Sequence, residues 1–117
     1  MNRDESRNDL GALRIHKNVI SSISSIAATE IEGVKRVGRD LKSGLAELLG
    51  NKFSSAIKVE ITKNEEVKVH IPLIIRYGYN IPEIANRVQE NVRLALEKMS
   101  NLSIKEINVN VQGIERG

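Results

Sequence analysis

Residues 67–111 read VKVHIPLIIRYGYNIPEIANRVQENVRLALEKMSNLSIKEINVNV, and two periodicities follow one another along them. Val67, Val69, Ile71 and Leu73 alternate with Lys68 and His70, the two-residue period of a strand with one buried face. From Ile81 the spacing changes. Ile81, Ile84, Ala85, Val88, Val92, Ala95, Leu96 and Met99 recur at steps of three and four, which gathers them into one stripe of a helix. Asn80 stands where an N-cap belongs, and Glu83, three residues on, completes an asparagine version of the capping box. Pro82 is tolerated in the first turn, where its missing N–H has no intrahelical partner to lose. The period returns to two at Ile107, Val109 and Val111, with Asn108, Asn110 and Gln112 on the opposite side.

Upstream, Ile57, Val59 and Ile61 alternate with Lys58, Glu60 and Thr62. The polar run Lys63–Glu66 then predicts a turn, so these two strands read as a hairpin. Pro72 lacks an amide hydrogen and suggests an edge position or a bulge. Residues 17–31 predict an earlier helix, with Val19, Ile20, Ile23, Ile26, Ala27, Glu30 and Ile31 at helical steps. Its serines, Ser21, Ser22, Ser24 and Ser25, fall largely on the outer side. Gly33 is a plausible stop for that helix, and Val34 and Val37 begin a further strand. A short strand is also expected from Gly11, with Leu13 and Ile15 on one side.

Residues 38–55 break the regular pattern. Leu41, Leu45, Leu48 and Leu49 suggest a short amphipathic helix inside an irregular, basic excursion. Residues 1–10 are polar and charged with nothing to bury, which predicts a disordered tail before a single domain over 11–115. The expected fold is α+β: a small, mostly antiparallel sheet with two long amphipathic helices packed on one face, a split βαβ arrangement being one candidate topology.

Composition narrows the function. The 117 residues are 40% hydrophobic and 28% charged, as in an ordinary soluble domain, but only 3% aromatic. The core must therefore be built from Ile, Val, Leu and Ala. There is no cysteine, which removes disulfides, thiolate nucleophiles and Cys-based metal sites. The first nine residues hold no apolar stretch, so no signal peptide is expected, and no run approaches the ~20 apolar residues of a membrane span. A cytoplasmic protein is the expectation.

No constellation for chemistry emerges. His16 and His70 lie on outward strand positions without further ligands at metal-binding spacing. Glu30 with Glu32, and Glu65 with Glu66, lack the apolar surroundings that raise a catalytic carboxyl, so they read as solvated charge. The serines form no nucleophile elbow, and the glycines match neither a phosphate loop nor a dinucleotide fingerprint. Neither catalysis nor a cofactor is expected. The net charge of +3 is spread among interspersed acids, and the one basic cluster is Lys35, Arg36, Arg39 and Lys42. Those four are the candidate partner-binding residues. Their partner would be an acidic protein surface, anionic lipid heads or phosphates. An RNA-recognition sheet is poorly supported, because it would need aromatics to stack on bases.

Two blocks carry a family likeness. Residues 11–34, GALRIHKNVISSISSIAATEIEGV, and 88–114, VQENVRLALEKMSNLSIKEINVNVQGI, resemble the signature blocks of the alkaline-shock-protein family of bacterial envelope and general stress proteins. Glu30-Ile31-Glu32-Gly33-Val34, Ile107-Asn108-Val109-Asn110-Val111 and Tyr77-Gly78 carry much of the match. The resemblance implies a cytosolic, non-enzymatic protein that binds a protein partner, in some members an integral membrane protein, and that in some members self-assembles into homo-oligomers. The expectation is a member without the long charged extensions of the membrane-associated ones. The readings that compete with such a scaffold are a small nucleic-acid-binding module and a regulatory subunit of a metabolic enzyme.

Overall fold

The computed structural model describes residues 17–38, 56–99 and 102–117. Along them run helix α1 (17–29), β1 (Val34–Val37), β2 (Lys58–Ile61), β3 (Glu66–Arg76), helix α2 (Ile81–Met99) and β4 (Ser103–Glu115). The fold is α+β, with four described strands in one sheet. The expected tail, the strand from Gly11 and the short leucine-bearing helix lie outside the described residues.

β3 is the spine of the sheet. On one edge it pairs over its whole length with β4, from Glu66↔Ser103 to Arg76↔Glu115. On its other edge two short strands stand end to end. β2 pairs antiparallel with residues 67–70 and β1 pairs antiparallel with residues 73–75. Two of the three pairings are thus antiparallel, while the longest, β3 with β4, is parallel. The crossover explains why. α2 connects the two strands, and its 19 residues span about 28 Å, enough to carry the chain back towards the start of β3. Because β3 and β4 are adjacent, this unit is a direct βαβ rather than a split one.

Pro72 is not at an edge, since β3 has neighbours on both sides, although a register shift lies one residue beyond it on the β4 side. Its carbonyl accepts the Gly38 N–H at 2.8 Å, on the edge shared by β1 and β2. The missing N–H points to that same edge, at the seam where one short strand ends and the other begins. The Gly38 bond to the Pro72 carbonyl therefore has no reciprocal, and the ladder of β1 ends there.

One face of the sheet is dry. Val67, Val69, Ile71, Leu73 and Ile75 of β3 and Ile107 of β4 are buried against Ile20, Ala27 and Ala28 of α1 and Ile84, Val88, Val92 and Leu96 of α2. Both helices therefore lie on one face, as expected. The buried stripe of α1 is rotated from the expected one: Val19 and Ile26 are exposed, and Ser24 is fully buried. Ser24 sits four residues after Ile20 and four before Ala28, so it shares their face. Small side chains at 24, 27 and 28 bring the α1 backbone close to α2, where the Asn91 amide donates to the Ala27 carbonyl at 2.7 Å. That bond satisfies one of the carbonyls a helix leaves unpaired at its C-terminus. Met99, at the end of the expected α2 stripe, is exposed.

Gly33 makes the exit from α1 possible. Its φ of +103° is disfavoured for any residue with a Cβ. Its carbonyl accepts the Arg76 N–H at 2.7 Å, tying the turn to the end of β3. At α2, the Asn80 Oδ1 accepts the Glu83 N–H at 3.0 Å, so the N-cap forms. The Glu83 carboxylate is instead taken by Arg87 at 2.7 Å, one turn on, and the reciprocal half of the capping box is not made.

Candidate functional site

Lys35 and Arg36 sit in β1, whose pairing places them beside the C-terminal end of β4. A register shift between Val34 and Arg36 lets consecutive residues reach one carboxylate. Glu115 receives Lys35 Nζ at 3.2 Å on Oε1 and Arg36 Nη2 at 2.6 Å on Oε2. The lysine also donates to the Arg116 carbonyl at 2.9 Å. These pairs are partly exposed, so each stabilises by only about 0–1 kcal/mol; their effect is to fix where the cations stand. Arg39 and Lys42, the other two residues of the basic cluster, lie outside the described residues.

The structure adds neighbours that the sequence reading did not connect to this cluster. The turn between β3 and α2 brings Tyr77 and Tyr79 to the same end of the sheet. The Tyr77 N–H donates to the Glu115 carbonyl at 2.8 Å, and the Arg116 guanidinium lies over the Tyr77 ring, 5.2 Å from its centre. The Tyr79 hydroxyl donates to Glu32 at 3.2 Å. Partial desolvation of the phenol, then the Glu32 contact, push the Tyr79 pKa above its ordinary value, with Arg76 opposing. Arg76 donates from Nη1 to the Gly117 main-chain oxygen. Each contact joins residues more than thirty positions apart, so spacing alone carried no sign of them. Tyr77-Gly78 was legible only as part of the family likeness.

The other face of the sheet is polar. An open concavity of ≈ 430 Å³ is lined by Ala56, Lys58, Glu60, His70, Asn108, Asn110 and Gln112 over Pro72. His70 lies on this outward face, with Nδ1 3.2 Å from the Asn108 amide and Nε2 3.8 Å from Glu60. His16 lies outside the described residues, among which no three metal-binding side chains gather. The paired glutamates are parted: Glu30 meets Asn91 at 3.3 Å while Glu32 meets Tyr79, and Glu66 faces Lys105 at 3.8 Å. No described helix is long and apolar enough to cross a membrane.

Comparison with known proteins places these features in a family. The model of the alkaline-shock-protein family, described as having a cell envelope-related function, matches residues 5–116. The chain is 33% identical over 113 residues to the uncharacterized protein YqhY of Bacillus subtilis, covering 96% of this chain and 83% of that protein. It is 28% identical over 113 residues to YloU of the same organism, covering 94% and 93%. A stress response regulator gls24 homolog of Streptococcus pyogenes is 26% identical over 107 residues, with 90% of this chain and 59% of that protein aligned. No solved structure matches. The family match runs through the basic strand, the tyrosine turn and both long helices, and this chain belongs to the alkaline-shock-protein family of cell envelope-related function.

Proposed function

We propose that this protein is a non-enzymatic interaction protein of envelope stress, which acts in the cytoplasm by binding a protein partner and is held at the membrane's inner face when that partner is membrane-embedded. The observation that carries this reading is the end of the sheet where Glu115 holds Lys35 and Arg36 side by side. Cations fixed by a shared carboxylate keep their charge at a defined place, which favours selective recognition of an acidic surface over diffuse attraction. The envelope-related description of the family and the stress-regulator name of the streptococcal relative support the setting.

The test is affinity capture of the tagged protein from its native cells, with membrane and soluble fractions analysed separately and nuclease-treated controls. A protein recovered at near-stoichiometric yield is the expected outcome. Arg36→Glu is expected to abolish that recovery with the fold intact. The swap Arg36→Glu with Glu115→Arg rebuilds the ion pair with inverted polarity, so capture restored by the swap would show that the pair supports the fold rather than the partner. Recovery only of material lost on nuclease treatment would replace this reading with a nucleic-acid module.

A further inference from the structure

We propose that the Tyr77–Gly78–Tyr79 turn, with Arg76, Arg116 and Lys35 around it, is the docking knob for an acidic, extended segment of a partner protein. This rests on the interaction-protein reading above and adds the chemistry of the occupant.

The first argument is where the aromatics are. The whole chain holds three, Phe53, Tyr77 and Tyr79. Both tyrosines stand on one turn and face outward, Tyr77 being 67% exposed and Tyr79 38%. Tyrosine and arginine are the residues on which binding energy concentrates at protein interfaces, because each offers a large, stiff contact area with a polar end.

The second is that the turn is already ordered. Its entry is bonded at Arg76 N–H to the Gly33 carbonyl and at Tyr77 N–H to the Glu115 carbonyl. Its exit is fixed by the Asn80 cap. The Tyr79 ring lies against Gly33, so closely that a Cβ there would stand 2.8 Å from its Cδ1. At Gly78, by contrast, an added Cβ would meet nothing within 4 Å, so the tip stands clear of the rest of the molecule. A projecting tip on a fixed base loses little conformational freedom when a partner closes on it.

The third is charge. Glu115 is taken up by Lys35 and Arg36, and Glu32 by the Tyr79 hydroxyl. Arg76 is held by the Gly117 main-chain oxygen, while Arg116 meets a ring face and pairs with no side-chain carboxylate among the described residues. The Arg116 guanidinium remains suited to the bidentate grip that a carboxylate accepts. The complement of this surface is therefore acidic. It is a polypeptide rather than a nucleic acid, because Arg116 takes one face of the Tyr77 ring and the Tyr79 ring lies against Gly33, which leaves no platform of bare ring faces for successive bases.

The test uses the full chain and a labelled Glu-rich peptide carrying one leucine, with its Gln counterpart as the neutral control, read by fluorescence anisotropy. The acidic peptide is expected to bind more tightly than the neutral one, and less tightly as salt rises. Tyr77→Ala and Arg116→Glu, both at exposed positions, are each expected to weaken binding by about tenfold with the circular dichroism spectrum unchanged. Lys105→Glu, at the opposite end of β4, reverses a charge of the same sign and is expected to change affinity by less than about twofold. Equal affinity in wild type, Tyr77→Ala and Arg116→Glu overturns the inference, as does tighter binding of a labelled single-stranded oligonucleotide. In the cellular capture, a partner retained equally by wild type and by the Tyr77→Ala, Arg116→Glu double variant removes the knob and leaves the interaction reading standing. No partner retained by wild type removes both.

Discussion

Gly33→Ala tests how tightly α1, α2 and the tyrosine turn are joined. The substitution has two costs. At φ +103° an alanine is strained, which costs about 1–3 kcal/mol. The new Cβ would also stand 2.8 Å from Ile84 Cδ1 and 2.8 Å from Tyr79 Cδ1. Tyr79 is half exposed and can swing, but Ile84 is buried in the core, so the crowding adds about 1–3 kcal/mol of overpacking. Gly78→Ala separates these costs, because Gly78 has nearly the same φ, +98°, with nothing near the added Cβ. For 117 residues the unfolding entropy is about 0.25 kcal/mol per kelvin, so each kcal/mol lowers Tm by about 4 °C. Gly78→Ala is then expected to lower Tm by about 4–12 °C, and Gly33→Ala by about 4–12 °C more than that. Thermal and urea unfolding followed by circular dichroism measure both, with an unchanged urea m-value showing that the difference is one of stability. Adding Ile84→Val, which deletes Cδ1, should recover part of the Gly33→Ala loss beyond its own cost. Equal Tm losses for the two glycine variants would refute the packing argument.

Other outcomes follow from the same contacts. Ser24 is buried with its hydroxyl unpartnered among the described residues, so Ser24→Ala should stabilise by about 1 kcal/mol, read as a Tm rise of about 4 °C. Asn91→Ala strips the Ala27 carbonyl of its donor and should cost about 1–2 kcal/mol in urea unfolding. The raised Tyr79 pKa carries a pH dependence. Because the folded value lies above the unfolded 10.0, the stabilisation is complete below that pH and is lost as pH climbs through the folded value. In a Tyr77→Phe background, phenolate absorbance should show Tyr79 titrating above its ordinary value, and Glu32→Gln should bring it down; a titration indifferent to Glu32 would contradict the contact.

Local sequence pattern specifies which segments become strands and helices and which side of most of them is dry. Val67, Val69, Ile71 and Leu73 at period two, and Ile84, Val88, Val92 and Leu96 at helical period, are sufficient for that, because side-chain direction follows from local backbone geometry. Asn80 and Gly33 were readable for the same reason, one through its capping oxygen and the other through a conformation that a Cβ resists. The family likeness, too, was written in consecutive residues. How segments distant in sequence meet is settled only by their packing. Alternation says nothing about strand direction, so the parallel pairing of β3 with β4 had to come from the helix between them. Pro72 suits an edge in the sequence, but it stands at the seam between two short strands that share one edge of β3. Helical spacing allowed Val19 and Ile26 to face inward, but close approach to α2 selected the smaller Ser24, Ala27 and Ala28. The same holds for the candidate site. Lys35 and Arg36 form a basic run in the sequence, whereas Glu115, Arg116, Tyr77 and Glu32 join them only because β1 begins and β4 ends at the C-terminal end of β3. Local chemistry is fixed by neighbours along the chain, and a binding surface is fixed by neighbours across it.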